Sequence, residues 1–176
     1  MRKAISSDEV YRGRVVTVRR EMVASQSGPP RLQDVVLHPG GVVIVAELEG
    51  GVVFVRQHRY VVDEELLELP AGTREPDEAP EVTAARELEE EAGLRAGALE
   101  KLAEFYAAPG YCTELLTVYV ATELTEATTA APDEDELITR VRLTREEAVR
   151  AAADGRIRDA KTIAALLLYV ARAGGR

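Results

Sequence analysis

The sequence predicts an α/β fold in which a mixed β-sheet lies between helices, preceded by an N-terminal β-hairpin. Three observations carry this expectation. Short β-branched runs broken by Gly and Pro recur along the chain. A segment of good helix formers, rich in Glu, interrupts them at residues 80–91. Two further segments with helical start and stop signals follow the last strand-like run.

Residues 14–24 (RVVTVRREMVA) are suited to a strand, and 25–30 (SQSGPP) to a turn that leads into a returning strand at 31–37. This hairpin is expected to form an extension, residues 1–37, outside a main domain of residues 38–176. Residues 41–48 and 52–60 are apolar, β-branched runs separated by Glu49, Gly50 and Gly51, a hairpin signal. Residues 65–69 form a short strand. In the helix that follows, Pro80 suits a first turn, where its missing N–H costs little, and Gly93 suits a stop. Residues 99–106 and 115–121 are further strands, joined by a loop at 107–114. An acidic loop at 132–136 precedes a last strand at 138–143. Thr144 is an expected N-cap with Glu147 at the capping-box position, and that helix stops at Gly155. A final helix spans 159–173, with apolar residues 163, 166, 167 and 170 expected to face the core. The helix at 80–91 is placed on one side of the sheet and the two C-terminal helices on the other.

A length of 176 residues suffices for a substantial core. The formal net charge of −9 argues against a general nucleic-acid or membrane-surface binder, which needs a basic patch. Phosphorylated substrates would require metal ions and local arginines to offset repulsion. The single Cys112 excludes an intrachain disulfide and fits a reducing compartment. There is no signal-peptide-like run and no apolar stretch near the ~20 residues of a membrane helix, so a cytoplasmic location is expected.

Residues 72–94 read GTREPDEAPEVTAARELEEEAGL. On a helix, Glu87 and Glu91 share a face with Glu90 beside them. Like charges at that spacing repel, and a hard divalent cation with oxygen ligands would neutralise them. Arg86 can pair with Glu90 or reach back to Glu78. The segment resembles the Nudix box, GX5EX7REUXEEXGU with U aliphatic, and fills each of its fixed positions. Nudix enzymes hydrolyse nucleoside diphosphates linked to another moiety, and their fold is an α/β/α sandwich. The resemblance implies two or three Mg²⁺ or Mn²⁺ ions on Glu87, Glu90, Glu91 and the Ala71 carbonyl.

Outside the box, LPAGT precedes it and APGYCTE follows from Ala108 to Glu114, with Pro109 fifteen residues past Leu94. This is similar to the ADP-ribose pyrophosphatase branch, although Tyr111 stands in place of its usual Phe and Cys112-Thr113 in place of Ser-Asp. The branch implies hydrolysis of ADP-ribose or a related ADP-sugar to AMP and ribose 5-phosphate. It implies substrate contacts at Arg59, in VRQHRY, and at Arg31, Thr73, Gly110 and Glu114. It implies Glu134 or Glu136 as the base that activates water, Glu134 being the favoured one with Glu136 supporting, beside Glu91. It also implies a homodimer through the N-terminal extension, and neither nucleic acid nor membrane as a partner. Tyr111 keeps a dinucleoside polyphosphate hydrolase as an alternative. A non-catalytic ADP-ribose sensor is another, although such a module would be expected to have lost box carboxylates.

Overall fold

The largely apolar runs at 42–46, 52–55 and 116–121 are buried on both faces and form the centre of the fold. A computed structural model describes residues 4–127 and 138–174. These gather into two units. One runs to Gly40 and includes Tyr106–Leu115; the other holds Gly41–Phe105 and the described chain from Leu116 onward.

The first unit contains an antiparallel sheet of β1 (Ala4–Arg12), β2 (Thr17–Val23) and β3 (Arg31–Leu37), with β2 central. The expected hairpin is therefore a three-stranded sheet. Every residue of β1 is exposed, so no buried face imposes an apolar alternation that the sequence could display. The loop at 107–114 is stitched to the end of β3: Val36 N donates to Tyr111 O at 2.7 Å and Thr113 N to Val36 O at 2.9 Å.

The second unit is built on a mixed sheet. Its strands are β4 (Gly41–Leu48), β5 (Gly51–Arg59), β6 (Glu64–Glu68), β7 (Ala71–Thr73), β9 (Ala98–Tyr106), β10 (Leu115–Thr122) and β12 (Thr139–Thr144). The order is β12-β5-β4-β10-β9, with β6 on β5 and β7 on β4. Strand β4 runs parallel to β10 and antiparallel to β5 and β7. β8 (Leu94–Arg95) and β11 (Thr125–Glu126) form a separate antiparallel pair. Between β4 and β5, Glu49 and Gly50 both take positive φ (48° and 74°), as a two-residue turn matched to strand twist requires.

Alternation along β4 divides the core into two layers. Val43 and Val45 meet Ala148, Ala151, Ala165 and Leu166. Val42, Ile44 and Ala46 meet Ala84, Leu88 and Ala92. Thus α1 (Pro80–Ala92) covers one face, and α2 (Arg145–Ala153) and α3 (Ala160–Gly174) cover the other, as the sequence predicts. The capping box of α2 forms: Glu147 N donates to Thr144 Oγ1 at 3.2 Å, and Thr144 N to the Glu147 carboxylate at 2.9 Å.

The core face of α3 holds the expected Leu166, with Ile163 and Val170 partly buried against the core, and departs from expectation at Leu167. It presents Thr162, Ala165, Leu166 and Tyr169, while Leu167 is 51% exposed. Polar side chains take part in this face because their polar atoms are bonded. Leu69 N donates to Thr162 Oγ1 at 2.9 Å, and Tyr169 donates to Glu47. Apolar periodicity alone therefore finds Ile163, Leu166 and Val170, wrongly adds Leu167, and misses Thr162, Ala165 and Tyr169. Among the described residues, no helix is long and apolar enough to cross a membrane.

Candidate active site

Helix α1 starts with Pro80 in its first turn and ends at Gly93, whose left-handed φ of 64° closes the last carbonyls. Leu88, Ala84 and Ala92 anchor one side of it in the core. That anchoring presents Glu87 and Glu91 to strand β7. A β-carbon at Gly72 would fall 1.9–2.4 Å from the Glu87 carboxylate, so only glycine admits that carboxylate against the strand. One residue earlier, Ala71 N donates to Glu91 Oε2 at 2.9 Å. Both carboxylates thus rest on the Ala71–Gly72 backbone.

Arg86 satisfies both of the partnerships that its spacing allows. Its Nη1 donates to Glu87 Oε1 at 2.8 Å and to Glu90 Oε2 at 2.9 Å. Its Nε and Nη2 grip Glu78 at 3.3 and 3.2 Å. Thr83 Oγ1 donates to Glu78 Oε2 at 2.8 Å and Glu75 N donates to it at 3.2 Å. These bonds, that from Arg86 foremost, hold the Glu78 carboxyl at about 2. Glu87 goes the other way: burial pushes its carboxyl up, against the pull of Arg86.

The donor set suits a hard divalent cation. Glu87 is a partly buried carboxylate with a raised pKa, the state that a nearby cation relieves, and Glu91 lies on the adjacent backbone unit. Among the described residues, however, no three carboxylate, imidazole or thiol groups converge as a finished cage. Arg86 draws on Glu87 and Glu90, while Glu91 engages Ala71.

Arg59 ends β5. Its Nε and Nη2 donate to Glu68 Oε1 and Oε2, each at 2.7 Å. Glu68 is 1% exposed, and Lys161 from α3 also donates to its Oε2. Lys161 is paired in turn with Asp159 at 3.0 Å. The Glu68 hydrogen bonds foremost, then the charges of Glu68, Glu91 and Asp159, keep the Arg59 guanidinium protonated against burial. Arg59 therefore lies within the field of a box carboxylate. The sequence reading missed Glu68, Asp159 and Lys161. For Glu68 the available signal was a carboxylate set among Leu66, Leu67 and Leu69.

Thr73, on β7, offers its carbonyl to Arg86 Nη2 at 3.5 Å. Arg31, Gly110 and Glu114 belong to the first unit. Arg31 opens β3 opposite Val23. Gly110 O accepts from Gln33 Nε2 at 3.2 Å, and Glu114 Oε1 lies 3.9 Å from His38 Nδ1. Glu134 and Glu136 lie outside the described residues.

A family model described as NUDIX domain matches residues 36–166. The chain is similar to the methanol dehydrogenase activator of Bacillus methanolicus, 37% identical over 166 residues, 93% of this chain and 90% of that one. It is similar to the ADP-ribose pyrophosphatase of Bacillus subtilis (strain 168), 36% identical over 166 residues with the same coverage of each chain. It shares a fold with a crystal structure of an ADP compounds hydrolase, with a TM-score of 0.88 at 24% identity, covering 99% of this chain and 95% of that one.

Proposed function

This chain belongs to the NUDIX family, and we propose from that premise that it hydrolyses the diphosphate bond of ADP-ribose to AMP and ribose 5-phosphate, or that of a related ADP-sugar to AMP and the corresponding sugar phosphate. The observation that carries this is the seating of Glu87 and Glu91 against the Ala71–Gly72 backbone, in a chain similar over nearly its whole length to an ADP-ribose pyrophosphatase.

Divalent cations, two or three Mg²⁺ or Mn²⁺, would be held by Glu87, Glu91, Glu90 and the Ala71 carbonyl, supplying charge neutralisation and polarisation at phosphorus. The remaining work belongs to the protein. Arg59 orients the diphosphate through a planar fork suited to phosphate oxygens. Arg31, Thr73, Gly110 and Glu114 contact the rest of the substrate. Glu134 takes a proton from the attacking water, with Glu136 in support; this assignment stands on the resemblance. A bond forms from water oxygen to phosphorus, the bridging P–O bond breaks, and the leaving phosphate departs as part of the second product.

The N-terminal extension, residues 1–37, serves dimerisation in this reading; its exposed Ile5, Val10, Tyr11 and Leu32 supply apolar surface. Light scattering of the intact chain against one lacking the extension tests that part. The test of function is a substrate panel (ADP-ribose, ADP-glucose, diadenosine polyphosphates, NADH) with Mg²⁺, with and without EDTA. AMP and ribose 5-phosphate from ADP-ribose, abolished by EDTA, are expected. Glu91→Gln should lose several orders of magnitude in turnover with its fold intact; wild-type turnover in that variant would refute the site.

A further inference from the structure

We propose that Lys161 is a positioning residue for the substrate diphosphate, acting through the buried carboxylate of Glu68 on Arg59. The proposal rests on the reading that Arg59 meets the diphosphate.

Glu68 is a nearly dry anion whose Oε2 is shared between Arg59 Nη2 and Lys161 Nζ. A buried carboxylate with one counter-cation binds it tightly or takes up a proton. With two, its charge is divided, and neither cation is consumed. Arg59 is held by the side edge of its guanidinium, Nε with Nη2, so Nη1 lies outside the Glu68 fork. A planar guanidinium fixed on one edge presents the other edge in a set direction, which phosphate oxygens require. Lys161 is itself placed by structure. It lies in the first turn of α3, pairs with Asp159 at 3.0 Å, and Asp159 Oδ2 accepts from Thr162 N at 3.0 Å. Thr162 in turn accepts from Leu69 N, next to Glu68. The start of α3 is therefore tied to the end of β6 by two bonds, Lys161 to the Glu68 carboxylate and Leu69 N to Thr162. Removal of the ammonium leaves Glu68 to Arg59 alone and changes how Arg59 is presented.

Lys161→Met and Lys161→Arg should be compared with wild type by kinetics on ADP-ribose and by calorimetric binding of ADP in EDTA. For Lys161→Met, KM and the Kd for ADP should each rise about tenfold, the scale of one charge-assisted hydrogen bond, while kcat changes less than about threefold. Lys161→Arg should restore both. Arg59→Ala with Lys161→Met should bind no worse than Arg59→Ala alone, because both changes remove one contact. An unchanged Kd and KM in Lys161→Met, even with a lower Tm, would overturn the proposal, as would an additive loss in the double variant. Wild-type protein that binds no ADP would overturn it too. Wild-type protein that binds ADP in a Lys161-dependent way but leaves ADP-ribose intact would refute the functional reading and sustain this one.

Discussion

Replacing Gly72 with alanine adds one methyl group at the most sensitive point of the site. The new β-carbon would sit 1.9 Å from Glu87 Cδ and 2.0 Å from its Oε1, well inside van der Waals contact. The obstructing atoms are the end of a flexible side chain, so the carboxylate swings away and the backbone keeps its course. Stability then changes little. The Arg86–Glu87 hydrogen bond at 2.8 Å is lost, about 1 kcal/mol for a bond whose donor keeps other partners. Alanine restores roughly 0.4–1 kcal/mol by restricting the unfolded chain. At about 2–4 °C per kcal/mol for this size, Tm should stay within about 3 °C of wild type. Activity should fall much further. A displaced carboxylate ligand should cost at least the roughly 10–100-fold that outer-shell partners of a metal cost, with the Mg²⁺ requirement moved to higher concentration. AMP release across a Mg²⁺ titration, beside a thermal melt, measures both. Wild-type turnover at wild-type Mg²⁺ dependence would refute the role given to Glu87 above Gly72.

Leu166→Ala should remove about 2–5 kcal/mol and lower Tm by roughly 10 °C, whereas Leu167→Ala, at a half-exposed position, should stay within about 0.5 kcal/mol; equal melts would refute the observed face of α3. Thr144→Ala removes the cap of α2 and should cost about 1 kcal/mol, a fall of roughly 2–4 °C in Tm by calorimetry. Glu78 has a folded pKa of about 2 against an ordinary 4.5, so its contribution is complete above pH 4.5 and is lost as pH falls towards 2. Acid titration of wild type against Glu78→Gln should show the two stability curves converging across that window; curves that stay parallel would contradict the Arg86–Glu78 clamp.

The parts of this molecule that could be read from residues are those where a local rule and the tertiary structure agree. The apolar run at 41–46 declares β4 because both its faces are buried there, so no polar residue interrupts it before Glu47. The box helix and α2 declare themselves through Pro80, Gly93, Thr144 and Glu147, each of which solves a backbone problem within a few residues of itself. Strand β1 has no such signature, since pairing with β2 holds it and no core does. Strand β7 is three residues long and is defined by its partner β4. That Glu87 and Glu91 share a face was legible from their spacing, and their proposed metal role comes from the resemblance to the box. Glu68 with Lys161 was not legible, because the two lie 93 residues apart and only the fold brings them together.

Helix α1 carries its two duties on neighbouring residues: Glu87 beside the core residue Leu88, and Glu91 beside Ala92. Each residue advances the helix by about 100°. A single inserted residue between Leu88 and Glu91 would turn that downstream carboxylate into the place of Ala92, towards the apolar layer, and push Ala92 out of it. A substitution in this stretch can be tolerated where it keeps volume or charge, but a change of length cannot. Insertions and deletions within 86–93 should therefore be lethal to folding and to chemistry together, whereas the loop before Pro80 only has to bring Glu78 back to Arg86.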